Sequence, residues 1–223
     1  MNNMNKKAVC CQKNRILLIL TLVLTFALTA CGSGSDDVAK AASGDADYLG
    51  TYTETTYRNE RFGLLFTVPT KDFEFAMMDD ILTANNIKED DFSNTRVPEI
   101  LAEGQDYMVM YGGDKTAKTS TSVVISPSSK GIEPETFVQN TADQIKASLE
   151  ADTSITVKEC ELKTGSPIGY DKYLVYTIQS NQSIFYTEQF FSFTDINVAS
   201  ITISSDSTGQ IKTMHGAWRK LNL

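Results

Sequence analysis

Four stretches between Ser154 and Ser204 favour extended chain, and the turns between them are too short to hold helices. They are "SITVKECEL" (Ser154–Leu162), "GYDKYLVYTIQ" (Gly169–Gln179), "IFYTEQFFSF" (Ile184–Phe193) and "VASITIS" (Val198–Ser204). Each sets β-branched, aromatic or aliphatic residues at alternate positions. Leu174, Tyr176 and Ile178 fall on one face of their strand, and Ala199, Ile201 and Ile203 on one face of theirs. Consecutive strands with short connections pair antiparallel, because parallel neighbours need a crossover of about a dozen residues. The pattern predicts a meander, and a fold of regularly alternating strands and helices does not accommodate it.

The flanking segments say what covers such a sheet. Glu135–Glu150 predicts a helix opened by Pro134, with Val138, Ala142, Ile145 and Leu149 on one stripe. A last helix is expected from about Thr208 to Leu221. Ser207 and Gln210 stand at capping-box spacing, and Ile211, Met214, Trp218 and Leu221 form the stripe. Upstream, "TYTETTYRNERFGLLFTVP" (Thr51–Pro69) reads as two strands about a turn at Asn59-Glu60, and "QDYMVMYG" (Gln105–Gly112) pairs with "STSVVIS" (Ser120–Ser126). In the former of that pair, Tyr107, Val109 and Tyr111 alternate with Met108 and Met110. Short helices are expected over Asp79–Asn86, capped by Asp79, and over Arg96–Glu103, with Pro98 in its first turn and Gly104 just past its end. Strand clusters with amphipathic helices and no strand–helix alternation predict an α+β domain, an antiparallel sheet flanked by helices.

The first 30 residues stand apart from this domain. Lys6, Lys7, Lys13 and Arg15 precede an apolar run from Ile16 to Ala30, broken only by threonines. That is the pattern of a secretory signal, and the run falls short of the roughly 20 apolar residues a spanning helix needs. Leu28-Thr29-Ala30-Cys31 resembles the lipobox of bacterial lipoproteins. The resemblance implies cleavage between Ala30 and Cys31, acylation of the Cys31 thiol, and anchoring on the extracytoplasmic face of a cell membrane. Two or more acyl chains make such anchoring stable where one is marginal. Three parts are then expected: a signal over 1–30, the lipidated cysteine and a flexible linker over 31–47, and a globular domain over 48–223. The linker, "GSGSDDVAKAASGDAD" from Gly32, has the end-to-end reach of a coil, about 20–25 Å.

Charge and cysteine content follow from the cleavage. Twenty basic and 28 acidic side chains become 16 and 28 once the four basic groups of the signal are gone, a net charge of −12. That balance disfavours nucleic acid, which demands clustered lysine and arginine, and disfavours lying flat on anionic lipid. Cys10 and Cys11 leave with the signal and Cys31 becomes a thioether, so Cys160 remains alone. An intramolecular disulfide and a cysteine-built zinc site are both excluded in the mature chain. In "TVKECEL" Cys160 reads as a small buried apolar residue rather than a reactive thiol.

A second resemblance covers most of Tyr48–Leu223. In "YRNERFGLLFTVP", Tyr57, Asn59, Phe62, Gly63, Phe66 and Pro69 fit the Y-x-N-x-x-F-G-x-x-F-x-x-P pattern that opens PsbP-like domains. "GYDKYLVYTIQSNQSIFYTEQFFSFTDINVASITISS" is similar to the closing meander of that fold. The resemblance implies an α/β/α sandwich and a largely non-enzymatic family: photosystem extrinsic subunits, an import factor that binds a small GTPase, and bacterial lipoproteins. No ligand-binding motif of the photosystem subunits matches residue by residue, so none is carried over.

Candidates for chemistry are few. His215 is the one histidine, a possible general base or a helix-flank residue at the edge of the core, and no nucleophile motif such as G-x-S-x-G accompanies it. Asp79-Asp80 and Glu89-Asp90-Asp91 offer oxygen ligands to a hard cation without EF-hand spacing, and otherwise read as solvated loop charge. Glu161, Asp171 and Glu188 lie on or near strands and could supply paired carboxylates. Met77, Met78, Met108 and Met110 read as soft-metal ligands or as core filler. Tyr170, Tyr173, Tyr176 and Tyr186 read as sheet packing or as a recognition surface. "GGDKT" at Gly112–Thr116 lacks the phosphate-loop pattern, and no cofactor is expected. The function expected from all this is a lipid-anchored binding or accessory protein. Its partner is an envelope protein or a small molecule; the alternatives are an envelope hydrolase using carboxylates, with or without His215, and a metal-binding lipoprotein.

Overall fold

The computed structural model describes residues 47–116, 118–127, 133–170, 172–180, 183–194 and 196–221. Ala30, Cys31 and nearly all of the expected linker lie outside these residues, as does Asp171. Among the described residues, two antiparallel sheets and four α-helices make an α+β fold.

The large sheet runs β4-β5-β6-β10-β9-β8-β7. Its strands are β4 (Phe73–Phe75), β5 (Tyr107–Asp114), β6 (Thr119–Pro127), β7 (Ile155–Thr164), β8 (Lys172–Ser180), β9 (Ser183–Phe193) and β10 (Asn197–Ser205). The meander β7-β8-β9-β10 is as the alternation predicts, and β10 closes against β6 in unbroken register from Asn197↔Pro127 to Ser205↔Thr119. Helix α3 (Pro134–Ala151) buries Val138, Ala142, Ile145 and Leu149 against Leu174, Tyr176, Ile178, Phe191 and Val198. On the same side, α1 (Met78–Asn85) brings Ala84 onto Met108 and Val124. The opposite side carries α2 (Val97–Ala102), α4 (Thr208–Ala217) and the small sheet, over a core that includes Ile125, Phe190, Ala199, Ile201 and Ile203.

The small sheet runs β1-β2-β3-β11: β1 (Thr51–Tyr52), β2 (Thr56–Asn59), β3 (Leu64–Thr67) and β11 (Trp218–Lys220). It accounts for the opening motif from Tyr57 to Phe66. Tyr57 and Phe66 are fully buried. Asn59, also buried, donates to the Tyr48 carbonyl at 2.9 Å and to the Tyr57 hydroxyl at 3.1 Å, and its Oδ1 accepts from the Phe62 amide at 3.2 Å. Gly63 turns the chain at φ 63°, a conformation side chains resist.

Several expectations are corrected. Thr51–Pro69 holds three strands, because the turn at Thr53–Thr55 folds β1 back on β2. The last helix stops at Ala217, so Trp218 and Leu221 are not on its stripe. Trp218 opens β11 against Phe66, with its ring 4.9 Å away and its indole N–H donating to Thr121 Oγ1 at 3.1 Å. Burying the ring while pairing its N–H outweighs another helical turn. Ser207 is the N-cap of α4, yet its side chain makes no cap bond. Asp79 sits inside the first turn of α1, and Met77 holds the cap position. Finally, β5 does not alternate throughout. A bulge between Met108 and Met110 turns Val109 and Met110 to the same core as Tyr107 and leaves Met108 on the other side. The Val109 carbonyl is taken up by the Tyr52 hydroxyl.

Candidate functional site

Two residues singled out separately in the sequence meet in space. His215, near the end of α4, and Glu188, on β9, are 2.7 Å apart, Nε2 to Oε2, with side chains 19% and 16% exposed. The strand alternation that sends Phe190 and Tyr186 to the α4 side sends Glu188 there too. The imidazole stands edge-on to Phe190, and Tyr173 stacks on that ring at 5.0 Å. Beyond Tyr173, Lys163 reaches Glu159 at 2.7 Å and Glu161 at 3.9 Å. The arrangement orients an imidazole, and among the described residues its hydrogen-bond partner is Glu188 rather than a serine or cysteine. Cys160 points into the α3 cluster, where burial raises its thiol pKa and suppresses the thiolate.

The other candidates are scattered. Asp79 and Asp80 lie in the first turn of α1, and Glu89–Asp91 forms a 3₁₀ turn in which Asp91 meets Arg96 at 3.7 Å. Among the described residues no three His, Cys, Asp or Glu side chains converge on a point that could hold a metal ion. The methionines do not converge either. Met77 and Met78 are exposed, while Met108 and Met110 are buried on opposite sides of the sheet. Tyr170 and Tyr176 are buried, and Tyr173 and Tyr186 pack against the main core. Core packing accounts for Tyr173, Tyr176 and Tyr186, while Tyr170, just before β8, is buried and also faces a cavity.

A cavity that the sequence does not announce lies at the Pro134 end of α3. Its volume is about 500 Å³; Pro134, Val138, Tyr170, Phe191 and Phe193 give it apolar wall, and Glu133, Glu135, Lys172, Ser192 and Lys220 its polar lining. Lys172 pairs with Glu135 across the mouth, and the Lys220 ammonium sits 5.3 Å over the Tyr170 ring. Neither hydroxyl in the walls is poised for attack: Ser192 donates to the Phe62 carbonyl at 2.7 Å and Tyr170 to that of Gly63 at 3.4 Å. Size and lining suit an amphipathic small molecule. The residues come from β8 and Tyr170 before it, from β9 and β11, and from the start of α3 with its N-cap Glu133, and nothing in their sequence spacing brings them together.

No family model matches the chain, and no curated protein matches it. Among solved structures it is similar to the solution structure of cyanobacterial PsbP (CyanoP) from Synechocystis sp. PCC 6803. The two are 10% identical at a TM-score of 0.46, over 80% of this chain and 98% of that one.

Proposed function

We propose that this chain is a lipid-anchored, extracytoplasmic binding or accessory protein. The carrying observation is the cavity between α3 and β11, whose apolar wall and charged margin of Glu133, Glu135, Lys172 and Lys220 are fit to hold an amphipathic ligand. The address rests on Leu28-Thr29-Ala30-Cys31 at the end of the apolar run. A tether there keeps the domain at high local concentration near a membrane or wall partner.

The second reading, an envelope hydrolase, draws on the 2.7 Å contact between His215 and Glu188. One pair of variants separates the two. Cys31→Ser is expected to move the protein out of the detergent phase and abolish labelling by a palmitate analogue; unchanged partitioning overturns the anchor. The parent protein is expected to show no turnover of envelope substrates; a turnover that His215→Ala abolishes makes the protein an enzyme.

A further inference from the structure

The cavity at the Pro134 end of α3 opens where two strands part. Among the described residues β8 pairs with β9 only as far as Tyr173↔Phe190, while β9 runs on to Phe193. Past that point Phe191, Ser192 and Phe193 all line the cavity. The Thr194 amide donates to the Asn197 carbonyl at 2.8 Å, toward β10. Successive residues of an antiparallel strand turn their main-chain groups to opposite sides, so the amide and carbonyl of Phe193 face the side that β8 has left. No strand among the described residues takes them up there. A short length of sheet edge thus stands beside an apolar pocket of Val138, Phe191 and Phe193.

The mouth carries both signs of charge. Lys172 and Glu135 pair with each other. Among the described lining residues one carboxylate and one ammonium are left. Glu133 is the N-cap of α3, yet its side chain makes no cap bond. The Lys220 ammonium rests over the Tyr170 ring with no carboxylate partner among the described residues. Both residues are exposed, so the mouth is open to solution. On the reading that this cavity holds an amphipathic ligand, we infer that the ligand is a short apolar peptide with both ends free, a di- or tripeptide. Its ammonium meets Glu133 and its carboxylate meets Lys220. Its main chain lies along Phe193, and one apolar side chain enters between Val138, Phe191 and Phe193. A sheet edge recognises main chain, and a pocket beside it selects the side chain. A fatty anion would leave Glu133 without a partner and set a second negative charge near it; an apolar cation would do the same to Lys220.

Calorimetric titration of the full chain in phospholipid nanodiscs, against empty discs, tests it with three probes: trileucine, trileucine acetylated and amidated at its ends, and decanoate. Saturable binding of trileucine is expected, with the blocked peptide weaker by at least about tenfold, the loss of two charged contacts. Decanoate should also bind less tightly than trileucine. Glu133→Gln and Lys220→Gln should each weaken trileucine about three- to tenfold, one charged contact at an exposed mouth. Lys212→Gln, on α4 and exposed outside the cavity lining, should leave it unchanged. The blocked peptide tests the parent protein itself, whatever a variant does to folding. If decanoate binds and trileucine does not, the peptide is overturned and the amphipathic ligand stands. Equal binding of free and blocked trileucine, or parental affinity in both charge variants, overturns the peptide as well. If none of the three probes binds, the cavity is not a ligand site and both readings fall.

Discussion

Ile201 and Thr202 are neighbours on β10 and face opposite ways. Ile201 enters a core that runs unbroken from the small sheet through α2 and α4, with Phe66 at its centre, 5.5 Å from Phe73, 5.9 Å from Phe75 and 4.9 Å from Trp218, ring to ring. Thr202 enters a side where, among the described residues, the buried apolar clusters are two, one under α1 and one under α3. One face is mainly apolar, and the other mixes Val124, Val198 and Phe191 with buried Ser122, Ser200, Thr202 and Gln189 along its central strands. The comparison predicts that stability responds very differently to substitution on the two sides.

The largest effect belongs to the continuous face. Phe66→Ala should cost about 3–5 kcal/mol, since it removes a fully buried ring and leaves a cavity walled by three rigid aromatics. Ile145→Ala under α3 should cost less, about 2–4 kcal/mol, because the helix can settle toward the smaller side chain. Urea unfolding of both variants reads the difference. If Ile145→Ala costs as much as Phe66→Ala, the two sides contribute equally and the contrast fails.

The unequal faces also explain what could be read in the sequence. The α3 stripe and the alternation of β8 and β10 were legible because one physical period, about 3.6 or 2 residues, runs through each element without interruption. The bulge at Val109 was not, since one inserted residue leaves the composition of β5 unchanged and reverses every side chain after it. Trp218 fits a helical stripe equally well by spacing; only its tertiary partners, Phe66 and Thr121, decide for a strand. The pairing of His215 with Glu188 and the cavity beside Lys220 depend on strand order, which local pattern does not encode. The hydroxyls of β6 were visible in "STSVVIS", but their alignment with Thr202 and Gln189 waited on register.

Asp106 tests the polar side through pH. It lies just before β5, and burial raises its carboxyl to about 7; the Ser126 hydroxyl holds it back only in part, being near but outside hydrogen-bonding geometry. Below about pH 4, its ordinary value, the carboxyl is protonated in both states and contributes no slope. Between about pH 4 and 7 the unfolded chain ionises while the folded one stays neutral, so stability falls as pH rises, and above that the loss is complete. Asp106→Asn keeps the neutral form at every pH. It should gain about 1–2 kcal/mol at pH 8 and nothing at pH 3.5, measured by urea unfolding at both. A gain at both values points to packing rather than ionisation.

The smallest effect is the most discriminating. Ser200 lies on β10 between Val124 and Phe191, fully buried, with no partner for its hydroxyl among the described residues. If the serines of this side held the fold together, Ser200→Ala would cost the net worth of a hydrogen bond, about 1 kcal/mol. With no bond to lose, the variant sheds only the expense of an unsatisfied buried oxygen, so its unfolding free energy should stay within about 0.5 kcal/mol of the parent or rise. A loss above 1 kcal/mol would mean that folding itself requires this hydroxyl.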